Sequence, residues 1–193
     1  MTNGLSPLER RGEFLKTIAA HIPENIIGVE IGVKDGDFSR VILDNLNVEK
    51  LFLVDPWEVG SDKNGGSTHY SAHISHLPTA YSTEQEFQRI QDRFKGEVDD
   101  KKVVFKRGFS YDAVESFPDH YFDFIYIDAC HLYESVKADL ESYLPKLKPG
   151  GLMCGHDYQN QSNFGVIKAV DEFVEKSNLE WLGLDEERDW ALC

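Results

Sequence analysis

Two short segments of the 193-residue chain carry the side chains best suited to moving a proton or holding a metal. One is Asp128-Ala-Cys-His131; the other is Gly155-His156-Asp157-Tyr158. Each brings a carboxylate and an imidazole close together in sequence. Such a pair supports acid–base chemistry or metal ligation. If the two segments meet in space, Asp128 and Asp157 can share a hard cation such as Mg²⁺ or Mn²⁺. Read singly, each is also an ordinary loop: Asp157 caps the next segment and His156 is a satisfied loop residue.

What gives them weight is the element that precedes each one. Residues 122–127 (FDFIYI) and 150–155 (GGLMCG) are short apolar runs that read as buried strands, so both segments fall at strand tips. The same reading places strands at 26–32, 50–54, 102–106, 179–184 and 189–193. Helices fall at 7–20, 37–46, 84–95 (with Ser82 or Thr83 as N-cap), 110–116, 133–147 and 165–177. Strands alternating with helices predict an α/β fold, a doubly wound and mostly parallel sheet with helices on both faces. The closing hairpin around DEER forces the last strand antiparallel. In such sheets a ligand binds beyond the C-terminal strand ends, near the switch in strand order.

Three more tips then become informative. The first runs Glu30-Ile-Gly32-Val33-Lys34-Asp35-Gly36-Asp37-Phe38-Ser39. Gly32 and Gly36 let the backbone approach a ligand, and the next helix offers free N–H groups. Lys34 and Asp37 stand where a dinucleotide fingerprint needs glycine, so GxGxxG fails. Glu30 beside helix N–H groups suits a zwitterion; the same residues suit a plain strand–turn–helix connection. The second tip is Asp55-Pro56-Trp57: a carboxylate able to take both hydroxyls of a ribose, and a ring able to flank a base. It is also what a strand terminator looks like. The third, Gly108-Phe109-Ser110, permits close approach to a base edge, or simply caps a helix through Ser110.

Charge and composition narrow the partners. There are 34 Asp+Glu against 20 Lys+Arg, a net charge of -14, which disfavours nucleic acid and anionic membranes. Residues 171–193 hold eight acids against Lys176 and Arg188, which reads as a solvated face. No apolar run approaches a bilayer span, and the N-terminal segment lacks the order of a secretory signal. Cys130, Cys154 and Cys193 form no CxxC and fit reduced thiols. The expectation is one cytoplasmic domain. Between 58 and 82 the chain is polar and Gly/Ser-rich, a lid or substrate insertion by its length. If helical, its His69, His73 and His76 share a face; a solvated loop with incidental histidines accounts for them as well.

Together the five tips resemble the class I S-adenosylmethionine (SAM)-dependent methyltransferases over residues 26–193. Glu30-x-Gly32-x-x-x-Gly36 resembles their first motif, and Asp55 their ribose-holding acid. Phe124 to Asp128-Ala-Cys-His131, continuing through Leu147-Lys-Pro-Gly-Gly151 to His156-Asp157, is similar to the macrocin-type sugar O-methyltransferases. That resemblance implies seven strands in the order 3-2-1-4-5-7-6 with strand 7 antiparallel. It implies SAM over Glu30, Gly32, Val33, Lys34, Gly36, Phe38, Ser39, Asp55, Trp57, Gly108, Phe109, Ser110 and Asp128. It implies Mg²⁺ at Asp128, with Asp157 as a second ligand, and His131 as base. The related sugar enzymes have two adjacent acids where this chain has His156-Asp157. The resulting expectation is transfer of a methyl group from SAM to a hydroxyl of a small molecule, with a divalent cation assisting. Metal-independent N- or O-methyl transfer is the alternative, and so is a SAM-binding module without transferase activity. A homo-oligomer is compatible with the sequence, which carries no clear signal either way.

Overall fold

The structure, a computed structural model, describes residues 4–57, 83–160 and 164–193. The insertion at 58–82, with its three histidines and Ser82, lies outside them. Seven strands form one sheet: β1 Ile26–Ile31, β2 Val48–Asp55, β3 Val103–Arg107, β4 Phe122–Ile127, β5 Leu147–Gly155, β6 Trp181–Leu184 and β7 Trp190–Leu192. Their order is β3-β2-β1-β4-β5-β7-β6. β1 to β5 run parallel, and β7 pairs antiparallel with both β5 and β6. This is the order and the reversal that the sequence led us to expect.

The period of two in a strand divides the sheet's side chains between its faces. Register aligns Leu53, Glu30, Tyr126, Cys154 and Ala191 across five strands, all on one face. Covering that face are α1 (Pro7–Ile18), α2 (Asp37–Asn45) and α3 (Thr83–Arg93) through Leu15, Ile42 and Ile90. Val29, Ile125, Met153 and Leu192 point the other way. They pack against α6 (Tyr133–Tyr143) and α7 (Val166–Lys176) through Val136, Leu140, Val170 and Phe173. Two short helices complete the described part, α4 (Lys95–Asp99) and α5 (Ser110–Ala113).

Local chemistry sets several boundaries. Helix α1 begins with a capping box: the Ser6 hydroxyl accepts from the Glu9 N–H, and the Glu9 carboxylate accepts from the Ser6 N–H. The helix expected over 133–147 stops at Tyr143 and tightens to a 3₁₀ turn at Leu144–Lys146, because Pro145 has no N–H to continue the ladder. Strand β5 accordingly starts at Leu147, before the Pro-Gly-Gly turn. Helix α4 has no counterpart in the sequence pattern. The three cysteines are unpaired, with Cys154 buried. Among the described residues no helix is long and apolar enough to cross a membrane.

Candidate active site

The first and fourth tips touch. Gly32 has φ +88°, and a Cβ there would lie 2.1 Å from the Asp128 carbonyl oxygen, so only glycine lets β1 leave the sheet against β4. The loop then turns through Lys34 (φ 53°) to Gly36, the left-handed N-cap of α2. Its scaffold is Asp55. Oδ2 accepts the N–H groups of Val33 and Lys34, both at 2.9 Å, and Oδ1 accepts that of Trp57 at 2.7 Å. Left-handed backbone at Lys34 and Trp57 costs on the order of 1–3 kcal/mol each. Charge-assisted bonds to one buried carboxylate offset it.

Several expected cofactor contacts have a different job in the structure. Asp55, 7% exposed, spends both oxygens on its own loop, so it holds the turn before it can hold a ribose. Trp57 is fully buried against Phe87 and Phe105, with its indole N–H on the Lys34 carbonyl at 2.9 Å. Phe38 is buried too, between the Arg11 guanidinium (3.8 Å) and the Tyr126 ring (4.2 Å). Ser39 is buried and donates its hydroxyl to the Glu30 carboxyl. Glu30 is only 1% exposed, and burial pushes it up to about 8; Ser39 and Arg11 oppose the rise, while Asp128 and Asp55 add to it. Glu30, Phe38 and Ser39 point into the sheet face under the loop, which is where strand and helix periodicity send them.

At the third tip, the Gly108 N–H reaches the Asp55 carbonyl at 3.0 Å, tying this loop to the second tip. Phe109, not Ser110, is the N-cap of α5, and its ring stacks on Tyr111 with centroids 5.2 Å apart. The Ser110 hydroxyl donates to Asp139 at 2.5 Å.

The fourth and fifth tips converge as the sequence suggested. The Asp128 N–H pairs with the Ile31 carbonyl at 2.8 Å, and the His156 N–H with that of Ile127 at 3.1 Å. This brings Asp128, His131, His156 and Asp157 together. His131 Nε2 is 3.0 Å from Asp157 Oδ2 and 3.6 Å from Asp128 Oδ1. His156 Nδ1 is 3.4 Å from Asp157 Oδ2 and 3.7 Å from Asp128 Oδ1. His156 Nε2 donates to the Glu187 carbonyl at 2.9 Å, which turns Nδ1 to the carboxylates. Asp157 has φ 58°, a conformation aspartate tolerates, and this aims its carboxylate back at β4.

Burial alone would lower both histidines and raise both aspartates. Mutual pairing wins. His131 is raised to about 9 and His156 to about 10, chiefly by the Asp128 and Asp157 carboxylates that face them. Both carboxylates fall well below their ordinary range in return. One oxygen each from Asp128 and Asp157 and one nitrogen of His131 lie within 4.8 Å of one another, a donor set for a divalent cation.

Sequence reasoning missed three residues beneath this cluster. Arg11, 8% exposed on α1, sets Nε 2.9 Å from Asp189 Oδ2 and Nη2 3.4 Å from Asp128 Oδ2, and also donates to the Tyr126 hydroxyl. That hydroxyl in turn donates to Asp189, which is fully buried. Phe164, also unforeseen, packs its ring 4.5 Å from that of His131. The buried arginine follows the helical period of Leu15 and Ile18, which was the only signal available.

Comparison with known proteins agrees with this arrangement. A family described as "Methyltransferase domain" matches residues 29–158, which include all five tips. A curated relative, an uncharacterized protein y4gI of Sinorhizobium fredii, is 26% identical over 161 residues, or 81% of this chain. The chain spans only 16% of that relative's length. Among solved structures, the O-methyltransferase NovP superposes with a TM-score of 0.64 at 22% identity, covering 94% of this chain and 78% of its own. An O-methyltransferase from Bacillus cereus in complex with SAH gives 0.61 at 15% identity, covering 100% of this chain and 82% of its own. CalS11, a TDP-rhamnose 3'-O-methyltransferase, gives 0.58 at 17%, covering 95% of this chain and 76% of its own. At these identities the likeness is one of fold. Sheet order, glycine loop and family match together make the chain a member of the class I SAM-dependent methyltransferases.

Proposed function

We propose that this protein transfers the methyl group of SAM to a hydroxyl of a small molecule, in a single domain with 58–82 as its substrate insertion. The observation that carries the proposal is the meeting of Asp128, His131, His156 and Asp157 one step from the glycine loop. The sulfonium supplies its own leaving group, so the protein must align the acceptor and remove its proton. An aliphatic hydroxyl needs help to lose that proton, and a carboxylate–imidazole cluster is the kind of group that gives it.

The N–H groups at the start of α2 are placed for the cofactor's anionic end, since those of Gly32, Val33, Lys34 and Gly36 are already bonded inside the protein. Gly108 and Phe109 border the same edge. Asp55 fixes the loop, with the lone pair left on Oδ1 as its reserve for a ribose. Asp128, Asp157 and His131 fit a divalent cation by donor type and spacing, and the imidazole tilts the preference from Mg²⁺ toward Mn²⁺. A cation held there would lower the pKa of a bound hydroxyl. The carboxylates that keep a proton on His131 are the same ones that would hold the cation. His131 would serve either as that cation's third ligand or as the base, not as both at once.

A second reading has its own support. His131 Nε2 lies 3.0 Å from Asp157 Oδ2, the pairing that a His–Asp base working without a cation requires; with the ring raised to about 9, such a base gains its active form as pH rises. Two measurements separate the readings. Calorimetry of the full chain with S-adenosylhomocysteine is expected to show binding; none would overturn the methyltransferase proposal. Transfer from labelled SAM to a panel of hydroxyl acceptors is expected to fall in EDTA and return with Mn²⁺. Turnover indifferent to EDTA would favour the second reading.

A further inference from the structure

Arg11 and Asp189 both lie outside residues 29–158, the segment shared with the family, yet they reach the centre of the site. The geometry points to Arg11 as a positioning residue that fixes the Asp128 carboxylate, with Asp189 and Tyr126 holding Arg11 in place. This rests on the assignment of Asp128 to the reaction made above.

The two oxygens of Asp128 face different ways. Oδ2 looks toward Arg11 Nη2 at 3.4 Å. Oδ1 looks toward His131 Nε2 at 3.6 Å and His156 Nδ1 at 3.7 Å. A carboxylate with one oxygen set by a guanidinium presents the other in a single orientation, toward Asp157 and the histidines. Arg11 is itself held by three partners. Asp189 takes its Nε through both oxygens, at 2.9 and 3.2 Å, Tyr126 accepts from Nη2, and Phe38 lies under its face at 3.8 Å. A planar fork can serve Asp189, Tyr126 and Asp128 together; a single ammonium cannot. Partners one layer out from a ligating group typically set its orientation and affinity. A clip that merely fastened α1 to β7 would need the Arg11–Asp189 pair alone. The Nη2 contact with Asp128 is the part such a clip leaves unexplained.

The test uses the full chain as wild type, Arg11→Lys and Asp189→Asn. Arg11→Lys keeps the charge and loses the fork. Asp189→Asn weakens the grip on Arg11 without touching Asp128. Calorimetry with Mn²⁺ in the presence of S-adenosylhomocysteine is expected to show both variants weakened by roughly 10- to 100-fold, with S-adenosylhomocysteine affinity retained. Folded variants that bind Mn²⁺ like wild type, with only a lower melting temperature, would overturn the proposal in favour of a structural clip. The metal-free proteins give a second readout: the imidazole ¹⁵N resonances of His131 and His156 are expected to move in both variants. If wild type takes up no Mn²⁺, the cation assignment fails on its own, and the resonances decide the positioning role. Unmoved resonances in a folded variant overturn it.

Discussion

The two faces of the central sheet are made by the same strands, yet they are chemically unlike. On one, Val29, Ile31, Ile125, Ile127, Met153 and Leu192 form an apolar strand layer, and the buried polar groups Ser135 and Asp139 come from the covering helix α6. On the other, the apolar layer is interrupted by Glu30, Tyr126 and Asp189, joined to Arg11 and Ser39 from the covering helices. A sheet face with buried charge is worse for stability than one without, unless every group is paired. Here each charged group in the layer has a partner, and the layer runs up to Asp128 at the strand tips. One face builds the fold; the other builds the site out of the same register.

Substitutions on each face test that division. The largest effect is expected at the tips. His131→Ala should reduce turnover by roughly 10²- to 10⁴-fold while leaving S-adenosylhomocysteine affinity near wild type. Steady-state kinetics with any acceptor the wild type methylates measure this, and unchanged turnover would remove His131 from the chemistry. On the apolar face, Ile125→Ala should cost about 2–5 kcal/mol of stability in urea unfolding. The folded variant should bind S-adenosylhomocysteine normally; lost affinity without lost stability would break the comparison. Tyr126→Phe, on the polar face, should cost less, about 1–3 kcal/mol, because Arg11 and Asp189 keep each other as partners. Combining it with Arg11→Lys should give less than the sum of the two losses.

The mildest test is a pH series at Glu30. Its carboxyl sits at about 8 in the fold against an ordinary 4.5, with Ser39, Asp128, Arg11 and Asp55 around it. An acid raised in the native state stabilises fully below pH 4.5, and that contribution is lost as pH climbs through 8. Glu30→Gln cannot ionise. Its melting temperature relative to wild type should therefore rise between pH 4.5 and 8 and level off above. A gap constant with pH would mean that Glu30 is already charged.

Strand order and tip residues were legible because each strand is a short apolar run ended by a polar or glycine tip. Asp128, His131, His156 and Asp157 converge as that reading required. The family pattern singled out Glu30, Ser39, Phe38 and Trp57 but carried no sign that their side chains turn inward. Their neighbours in sequence do not say which way a side chain points once a helix covers it. Arg11 was least visible. An arginine on an amphipathic helix ordinarily faces water, and its partner Asp189 is 178 positions away. Nothing local marks such a pair.

The placement of β7 between β5 and β6 has a consequence for how the molecule assembles. β6 precedes β7 in the chain but cannot join the sheet until β7 has entered the gap beside β5. The Arg11–Asp189 contact that β7 brings spans 178 positions, and contacts of such long sequence separation are slow to form. Asp189 arrives with β7, so until then the guanidinium of α1 has no buried anion to meet. The Arg11–Asp189–Asp128 corner of the site is therefore completed only when β7 docks, and binding competence should return with that step rather than with the formation of the parallel core.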